Sequence, residues 1–514
     1  MVKFKILIDT NVVIGLEDAR PVQASLAELV RLSATHSLGL YIDGATYQDI
    51  GRDSIQSRRA ITLSKLAKFQ RLGALPLKPE SELVSRYGRI SNDNDRCDVR
   101  LLEALDSKAV DFLITQDNGI HRRALRAGLD SIVLTVEEAL DWLRETFQEK
   151  LVALPFIAEQ KAYQVDLSDE IFASLREDYP DFDQWFEKCR RQHRDCWSLQ
   201  IDGKIAGLVV RKDESFIEAG VSYPGSKILK VCTFKVRDEF RGEKFGELLL
   251  KQILWFGQIN EYDVIYLTVF PKHTFLRDLL AYYGFIGTKN LPSGELMMEK
   301  ALLKGPIEVI PSDKFDFART SYPRFYDGAT ALKFCVPIRP DYHRRLFPEI
   351  AFGAELPLFP NEKFGPVLRR GEARTPGNTI RKVYLSRAKT KRLRPGDLLL
   401  FYMSKDENYS SSQSVTTIAV AEQIFDAAST EDLIRLTAKR SVFSVEELAA
   451  MDASEKSPVK VIDFLLIGHF ERPITLDALL TSQVFANAPP QSIAAISEEK
   501  YAILKPSLKL GFVF

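Results

Sequence analysis

"KVCTFKVRDEFRGEKFGELLLKQIL", residues 230 to 254, reads as a strand, a short loop and a helix. Alternating apolar residues carry the strand, and an apolar helical periodicity starts at the glutamate after Gly246. Between them the turn RGEKFG would aim backbone N–H groups and a helix N-terminus at an anion, the way proteins hold a pyrophosphate with few side chains. Upstream, "CWSLQIDGKIAGLVVRKD" predicts a hairpin around Asp202 and Gly203. Downstream, "VIYLTVFPKHTFLRDLLAYYGFIG" adds a strand, a helix and a glycine turn, so residues 151–302 are expected to form one mixed α+β domain.

The flanks have a different rhythm. Residues 1–147 alternate short apolar strands ("FKILI", "LGLYI", "VDFLIT", "SIVLT") with amphipathic helices, the pattern of a parallel sheet wrapped by helices. Residues 303–329, with "KGPIEVIPSDKF", are expected to be a proline-punctuated linker. Residues 330–514 hold short β-like runs with two helical insertions, which suggests a small β barrel. A chain of 514 residues exceeds one core, and about three or four domains are expected at this length.

Lys plus Arg and Asp plus Glu each total 70, so a nucleic-acid surface would have to come from local segregation of charge. Cys97, Cys189, Cys196, Cys232 and Cys335 are irregularly spaced without a CxxC pair, which fits reduced thiols. With neither a signal-peptide pattern nor an apolar run of spanning length, the expectation is a cytoplasmic protein without membrane contact. No HExxH, zinc spacing, GxSxG or Walker turn occurs, and Cys232 reads as core rather than nucleophile.

Four acids stand out in the first domain. Asp9 ends the strand "KILI", Asp49 lies in "YQDIGRD", Asp98 opens "DVRLLEAL" and Asp117 follows "FLITQ". Acids at strand ends and helix starts would converge on one rim of the sheet. Two carboxylates ~4 Å apart repel by about 4 kcal/mol at an effective dielectric near 20, so such a cluster needs a cation, and oxygen-only ligands select Mg²⁺ or Mn²⁺. Such a metal can activate water against a phosphodiester. The alternative is that each acid caps a helix or is a solvated loop charge.

These blocks, "ILIDTNVV", "YQDI", "CDVRLLEAL" and "VDFLITQDNGIHRRAL", resemble a PIN domain, whose active members are metal-dependent ribonucleases. The resemblance implies a metal and catalytic site of Asp9, Asp49, Asp98 and Asp117, with Asn11 and Thr115 as polar support; Asp93 and Asp95 leave the third ligand open. The stretch 230–254 resembles motif A of the GNAT acetyltransferases. That likeness implies acetyl-CoA bound by Val236, Arg241, Gly242, Glu243, Lys244, Phe245 and Gly246. Lys244 replaces the first motif glycine, which a backbone-mediated site tolerates if φ stays negative there. The family's tyrosine acid falls on Leu280; Tyr282 and Tyr283 are adjacent, and the general acid stays unassigned.

Between Arg369 and Arg394 stand ten Lys or Arg and one acid, Glu372. With the turn and strands that follow, this segment is similar to PUA-like domains of the ASCH or EVE type, often associated with RNA. Arg381, Lys382, Tyr384, Lys389, Lys391, Arg392 and Arg394 are the candidate RNA contacts, with Phe401 and Tyr402 as further stacking faces. The resulting expectation is a multidomain α/β protein: a PIN-like parallel α/β sheet, a GNAT α+β fold and a PUA-like β barrel. It would be an RNA-directed ribonuclease joined to an N-acyltransferase, acting on transfer RNA or another structured RNA as a toxin or defence protein with a cognate antitoxin. The rivals are an acetyltransferase whose other domains bind RNA or a partner, and a non-catalytic RNA-binding scaffold.

Overall fold

The structure is a computed structural model. It describes residues 4–9, 11–12, 29, 32–33, 38–44, 69–73, 75, 78–147, 157–201, 204–237, 244–348, 350, 379–405, 412–438, 440, 443 and 445–512. The chain divides into two compact units, residues 1–150 with 427–458, and residues 151–426 with 459–514.

In the first unit β1 (Lys5–Ile8), β2 (Gly39–Ile42), β3 (Gln70–Arg71), β4 (Phe112–Ile114) and β5 (Val133–Leu134) form a sheet in the order β3-β2-β1-β4-β5, every pair parallel. Helices α1 (Glu80–Tyr87), α2 (Asp93–Asp106), α3 (Asn118–Ala127) and α4 (Val136–Phe147) belong to the same unit. The central strands β1, past Lys5, and β4 are apolar because both sheet faces are covered there: Ile6, Leu7, Ile8, Phe112, Leu113 and Ile114 are all buried. Trp142 of α4 packs its ring 4.3 Å from Phe112 and 5.6 Å from Phe4. Helices Thr430–Thr437 and Val445–Ala450, expected as insertions of the third domain, return to this unit, where Arg440 lies 3.9 Å from Asp130.

The second unit holds two sheets. The first has the order β11-β12-β10-β9-β8-β7-β6, from β6 (Ile157–Lys161), β7 (Asp195–Ile201), β8 (Lys204–Glu214), β9 (Ile228–Val236), β10 (Val264–Val269), β11 (Ile286–Asn290) and β12 (Leu296–Ala301). Only the β9–β10 pair is parallel. Helices α5 (Ala173–Asp178), α6 (Phe182–Arg191) and α7 (Phe216–Ala219) contribute to one side, where Phe172, Phe186, Cys189 and Cys196 meet Leu208 and Val210. Helix α8 (Phe245–Ile259) covers the other: a Cβ on its Gly257 would sit 2.6 Å from Ile265 Cδ1, so the glycine lets the helix lie against the sheet without displacing that methyl. Helix α9 (Thr274–Tyr282) precedes β11. The hairpin turn at Asp202 and Gly203 lies outside the described residues.

The second half of the stretch expected as a linker is packed structure, while 303–313 is mostly exposed. It contains helix α10 (Lys314–Thr320), and Ala318, Tyr322, Arg324 and Phe325 have no exposed surface. Arg324 donates to the carbonyls of Leu303 at 2.8 Å and Gly305 at 2.6 Å, and Trp255 Nε1 of α8 donates to Tyr322 Oη at 2.8 Å. Proline count alone read this segment as a spacer; its apolar and arginine anchors make it a strap.

The last sheet runs β14-β17-β16-β15-β13-β18, from β13 (Lys333–Ile338), β14 (Arg381–Ser386), β15 (Leu398–Met403), β16 (Ser414–Ala427), β17 (Val459–Thr475) and β18 (Ala494–Ile496). Among the described residues β14 and β18 end the order, with no pairing between them that would close the expected barrel.

Candidate functional site

Strands β9 and β10 pair over Ile228–Lys230 and Val264–Tyr266 and then part, although β9 continues to Val236 and β10 to Val269. Their carboxyl halves therefore leave a gap in the sheet lined by unpaired backbone. On its other edge β9 carries a bulge: Arg211 opposes Val231 and Val210 opposes Thr233, so Cys232 is the extra residue. Burial pushes the Cys232 thiol up to about 11, Arg194 opposing it, so the side chain is a thiol packed on the core.

The loop after β9 leads to the N-terminus of α8. Arg241, Gly242 and Glu243 lie outside the described residues. Val236 is half-buried at the end of β9, Phe245 is buried, and Gly246 occupies the first turn. A Cβ on Gly246 would meet Leu279 Cδ2 at 3.6 Å and Phe234 Cε1 at 4.0 Å, ordinary contact that leaves no room for a large side chain. Lys244 differs from expectation: its φ is +60°, in the left-handed region. The motif glycine is replaced at a position that favours glycine, and the lysine bears a conformational cost of about 1–2 kcal/mol.

Glu247, also in the first turn, turns its carboxylate to the last sheet, accepting from Ile380 N at 2.9 Å, Arg381 N at 3.0 Å and Tyr283 Oη at 3.1 Å. Tyr283 is thus locked away, its phenol pushed far up by burial, and Leu280 is buried. The ring of Tyr282 lies under the guanidinium groups of Arg319 and Arg381. Neither tyrosine is placed as a general acid.

A carboxylate that sequence reasoning missed is held by β10 in the stretch where that strand has left β9. Glu295, just ahead of β12, accepts from Tyr179 Oη at 2.8 Å and Thr268 Oγ1 at 2.9 Å, and its second oxygen accepts from Ser293 Oγ at 2.9 Å. Burial and Glu295 together push the Tyr179 phenol well above its ordinary range, so it is a neutral donor. In sequence Glu295 is one acid in a turn, "LPSGEL", and nothing local marks it.

In the first unit β1 and β4 are neighbours from which the chain winds in opposite directions, so the acids after them sit at a topological switch point. Asp9 is buried and accepts from Thr115 Oγ1 at 2.6 Å; Asn11 Nδ2 donates to the same hydroxyl at 3.3 Å. Asp117 caps α3, accepting from Gly119 N at 2.6 Å and Ile120 N at 3.1 Å. Asp98 lies in the second turn of α2. A Cβ on Gly119 would stand 2.8 Å from Asp117 Oδ1 and 4.0 Å from Asp98 Oδ2, so the missing side chain opens a cradle between the two acids. Asp95 is taken by Arg123 at 2.8 Å and Ser91 N at 2.6 Å. Asp49 lies outside the described residues.

Of the four expected acids, Asp9, Asp98 and Asp117 share a field, and Asp49 is the one outside the described residues. Their all-carboxylate chemistry suits a hard cation, but no three His, Cys, Asp or Glu among the described residues stand in a metal-ligating group. We derive no step through a metal. The coupling has its own consequence: burial, then Asp117 and Asp9, raise the Asp98 carboxyl to about 7. Between about pH 4 and 7 the folded chain keeps a proton that the unfolded chain releases, so stability falls as pH rises through that window. Asp98→Asn is expected to become progressively more stable than the native chain from pH 5 to pH 8 in urea titrations read by pulse proteolysis. Parallel curves at the two pH values would refute the coupling.

The basic candidates divide. Lys389, Lys391, Arg392 and Arg394 are exposed in the loop between β14 and β15. Arg381, Lys382 and Tyr384 are not placed to meet RNA. Arg381 is paired with Glu422; Lys382 is 1 % exposed and donates to Leu346 O at 2.7 Å; Tyr384 Oη donates inward to Pro337 O at 2.5 Å. Phe401 and Tyr402 are buried in β15. Even on the edge strand β14, charged residues turn inward when carbonyls and acids meet them, which the count of positive residues cannot show.

Residues 159–285 match the acetyltransferase (GNAT) family, so the chain contains a GNAT acetyltransferase domain. Among solved structures, the chain is similar to a GNAT family acetyltransferase from Elizabethkingia anophelis with acetyl-CoA bound, at 15 % identity and TM-score 0.22, covering 28 % of this chain and 98 % of that one. An ASCH protein from Zymomonas mobilis is similar at 16 % identity and TM-score 0.23, covering 34 % of this chain and 94 % of that one. No curated protein matches the chain. No helix among the described residues is long and apolar enough to cross a membrane.

Proposed function

We propose that the protein is an acetyl-CoA-dependent N-acyltransferase acting through residues 157–301. The observation that carries this reading is the gap between β9 and β10, opening beside the N-terminus of α8. Unpaired strand backbone there can hydrogen-bond an extended amide-bearing chain, while a helix N-terminus favours the phosphates at its far end. The family match supports the same assignment. Acetyl-CoA would supply the acyl group as a thioester; Val236 and the first turn of α8 would hold and orient it. Calorimetric titration of the full chain with acetyl-CoA is expected to show binding that Gly246→Ala retains and Gly246→Trp weakens at least a hundredfold, because the indole must occupy the space before Leu279 and Phe234. Equal affinity in Gly246→Trp would refute the site.

A second reading is favoured by one observation, the raised carboxyl of Asp98 beside Asp9 and Asp117. We propose RNA phosphodiester hydrolysis at this rim, with the exposed loop Lys389–Arg394 binding the RNA backbone. Cleavage of a labelled RNA pool that is lost in Asp9→Asn would support it; cleavage unchanged by that substitution, or none, would remove it.

A further inference from the structure

The acyl acceptor must reach the thioester from the face of the sheet opposite α8, because α8 and its N-terminus occupy the other. Side chains alternate along β10. Ile265 lies under α8, so Tyr266 and Thr268 point to the α5–α7 face, where Tyr266 packs with Ala219 and Met297. Four carboxylates are placed there by the contacts of these elements, and one of them, Glu299 opposite Tyr266, is fully buried and spent on the backbone N–H groups of Ser222 at 2.8 Å and Tyr223 at 3.3 Å and on the hydroxyl of Thr288. Glu214 takes the hydroxyl of Tyr266 and pairs with Lys212 at 3.2 Å and Lys230 at 3.4 Å. Asp178, at the end of α5, pairs with Lys272 and with His273 Nε2 at 3.0 Å. Glu295 is different: hydroxyls hold both its oxygens, and no cation among the described residues pairs with it.

We propose that Glu295 is the specificity-determining residue for the acceptor, holding it as a primary ammonium group at the mouth of the β9–β10 gap; this rests on the acyltransferase reading above. Thr268, which fixes one oxygen of Glu295, lies on β10 beyond the last β9–β10 pair, so the carboxylate, which reaches β10 from the β12 side, is fixed to the stretch of strand that borders the opening. Tyr179 and Phe270 pack with ring centroids 5.2 Å apart, and Tyr179 donates to Glu295, which places aromatic surface next to the negative charge. A half-buried carboxylate oriented by three hydroxyls and flanked by rings is complementary to an alkylammonium head and its methylenes. A neutral hydroxyl acceptor would leave that charge without a counterion, and a carboxylate-bearing acceptor would be repelled. In the transfer, the ammonium first gives up one proton to solvent and the freed nitrogen lone pair forms the C–N bond; the C–S bond breaks with its electron pair on sulfur, and the second nitrogen proton passes to that sulfur, so that amide, thiol and one released proton result.

The test uses the full chain. Acetyl-CoA binding is measured first by calorimetry, then thiol release with a panel of mono-, di- and polyamines, lysyl peptides, and the matching alcohols and carboxylates. Thiol release is expected with amines, and Glu295→Gln, which keeps the shape and the hydroxyl contacts to Oε1, is expected to raise KM for the best amine at least tenfold with kcat less affected. Acetyl-CoA affinity and melting temperature should stay unchanged, and Glu295→Asp should recover part of the loss. Failure of the native chain to bind acetyl-CoA would overturn the acyltransferase reading itself. Binding without thiol release from any amine, release with alcohols in preference to amines, or an unchanged KM in Glu295→Gln would overturn the assignment of Glu295 alone.

Discussion

Replacing Gly284 by alanine is expected to destabilise the second unit by about 3 kcal/mol or more, from about 1–2 for a left-handed backbone and about 1–3 for overpacking. Gly284 has φ +84°, and a Cβ there would lie 1.9 Å from the carbonyl oxygen of Thr320. That carbonyl cannot retreat, because the Nζ of Lys300 bonds both Thr320 O and Tyr283 O. Lys300 is 1 % exposed, and burial, with Arg319 adding to it, lowers its ammonium to about 7. The glycine thus sets how closely α10 docks on the turn after α9. Pulse proteolysis in urea on the Ala variant would measure the loss, and a midpoint equal to that of the native chain would show that the strap does not press on this turn.

Truncating Glu422 is expected to cost about 3–5 kcal/mol, because it strands a charge inside the protein. Its side chain is 3 % exposed and that of Arg381 is 13 % exposed; Arg381 Nε donates to Glu422 Oε2 at 2.8 Å, and a second guanidinium nitrogen reaches Oε1. The guanidinium also lies 5.2 Å from the ring centroid of Tyr282. The backbone N–H of Arg381 meets Glu247 in the first turn of α8, so this pair ties the last sheet to the helix proposed to bind acetyl-CoA. Glu422→Ala alone should therefore lower stability and weaken acetyl-CoA binding together. The double variant Glu422→Leu with Arg381→Met should recover most of the stability, since two apolar side chains leave no unpaired ion. Additive losses in the double variant would mean that the two residues act separately.

The structure explains why some features were legible in sequence. Runs such as "ILI" and "FLI" are apolar throughout because parallel strands are covered on both faces, and the acids that follow them fall at strand ends by chain geometry. The strand–turn–helix at 230–254 announces itself through a change of hydrophobic period, which depends on residues within a few positions of one another. The Asp117 cap was readable for the same local reason.

What the sequence by itself determined is this succession of elements, the acids and glycines at their junctions, and the GNAT-like turn. The tertiary structure alone decided that Arg381 and Lys382 face inward, that residues 314–326 bind as a strap, that Lys244 adopts a positive φ, and that Glu295 is held by Thr268 on the part of β10 that has left β9. Glu295 lies 116 positions from Tyr179 and 27 from Thr268, the partners that orient it. Backbone periodicity is settled over a few residues by hydrogen-bond geometry, whereas the burial and pairing of a charge depend on which distant segments arrive beside it.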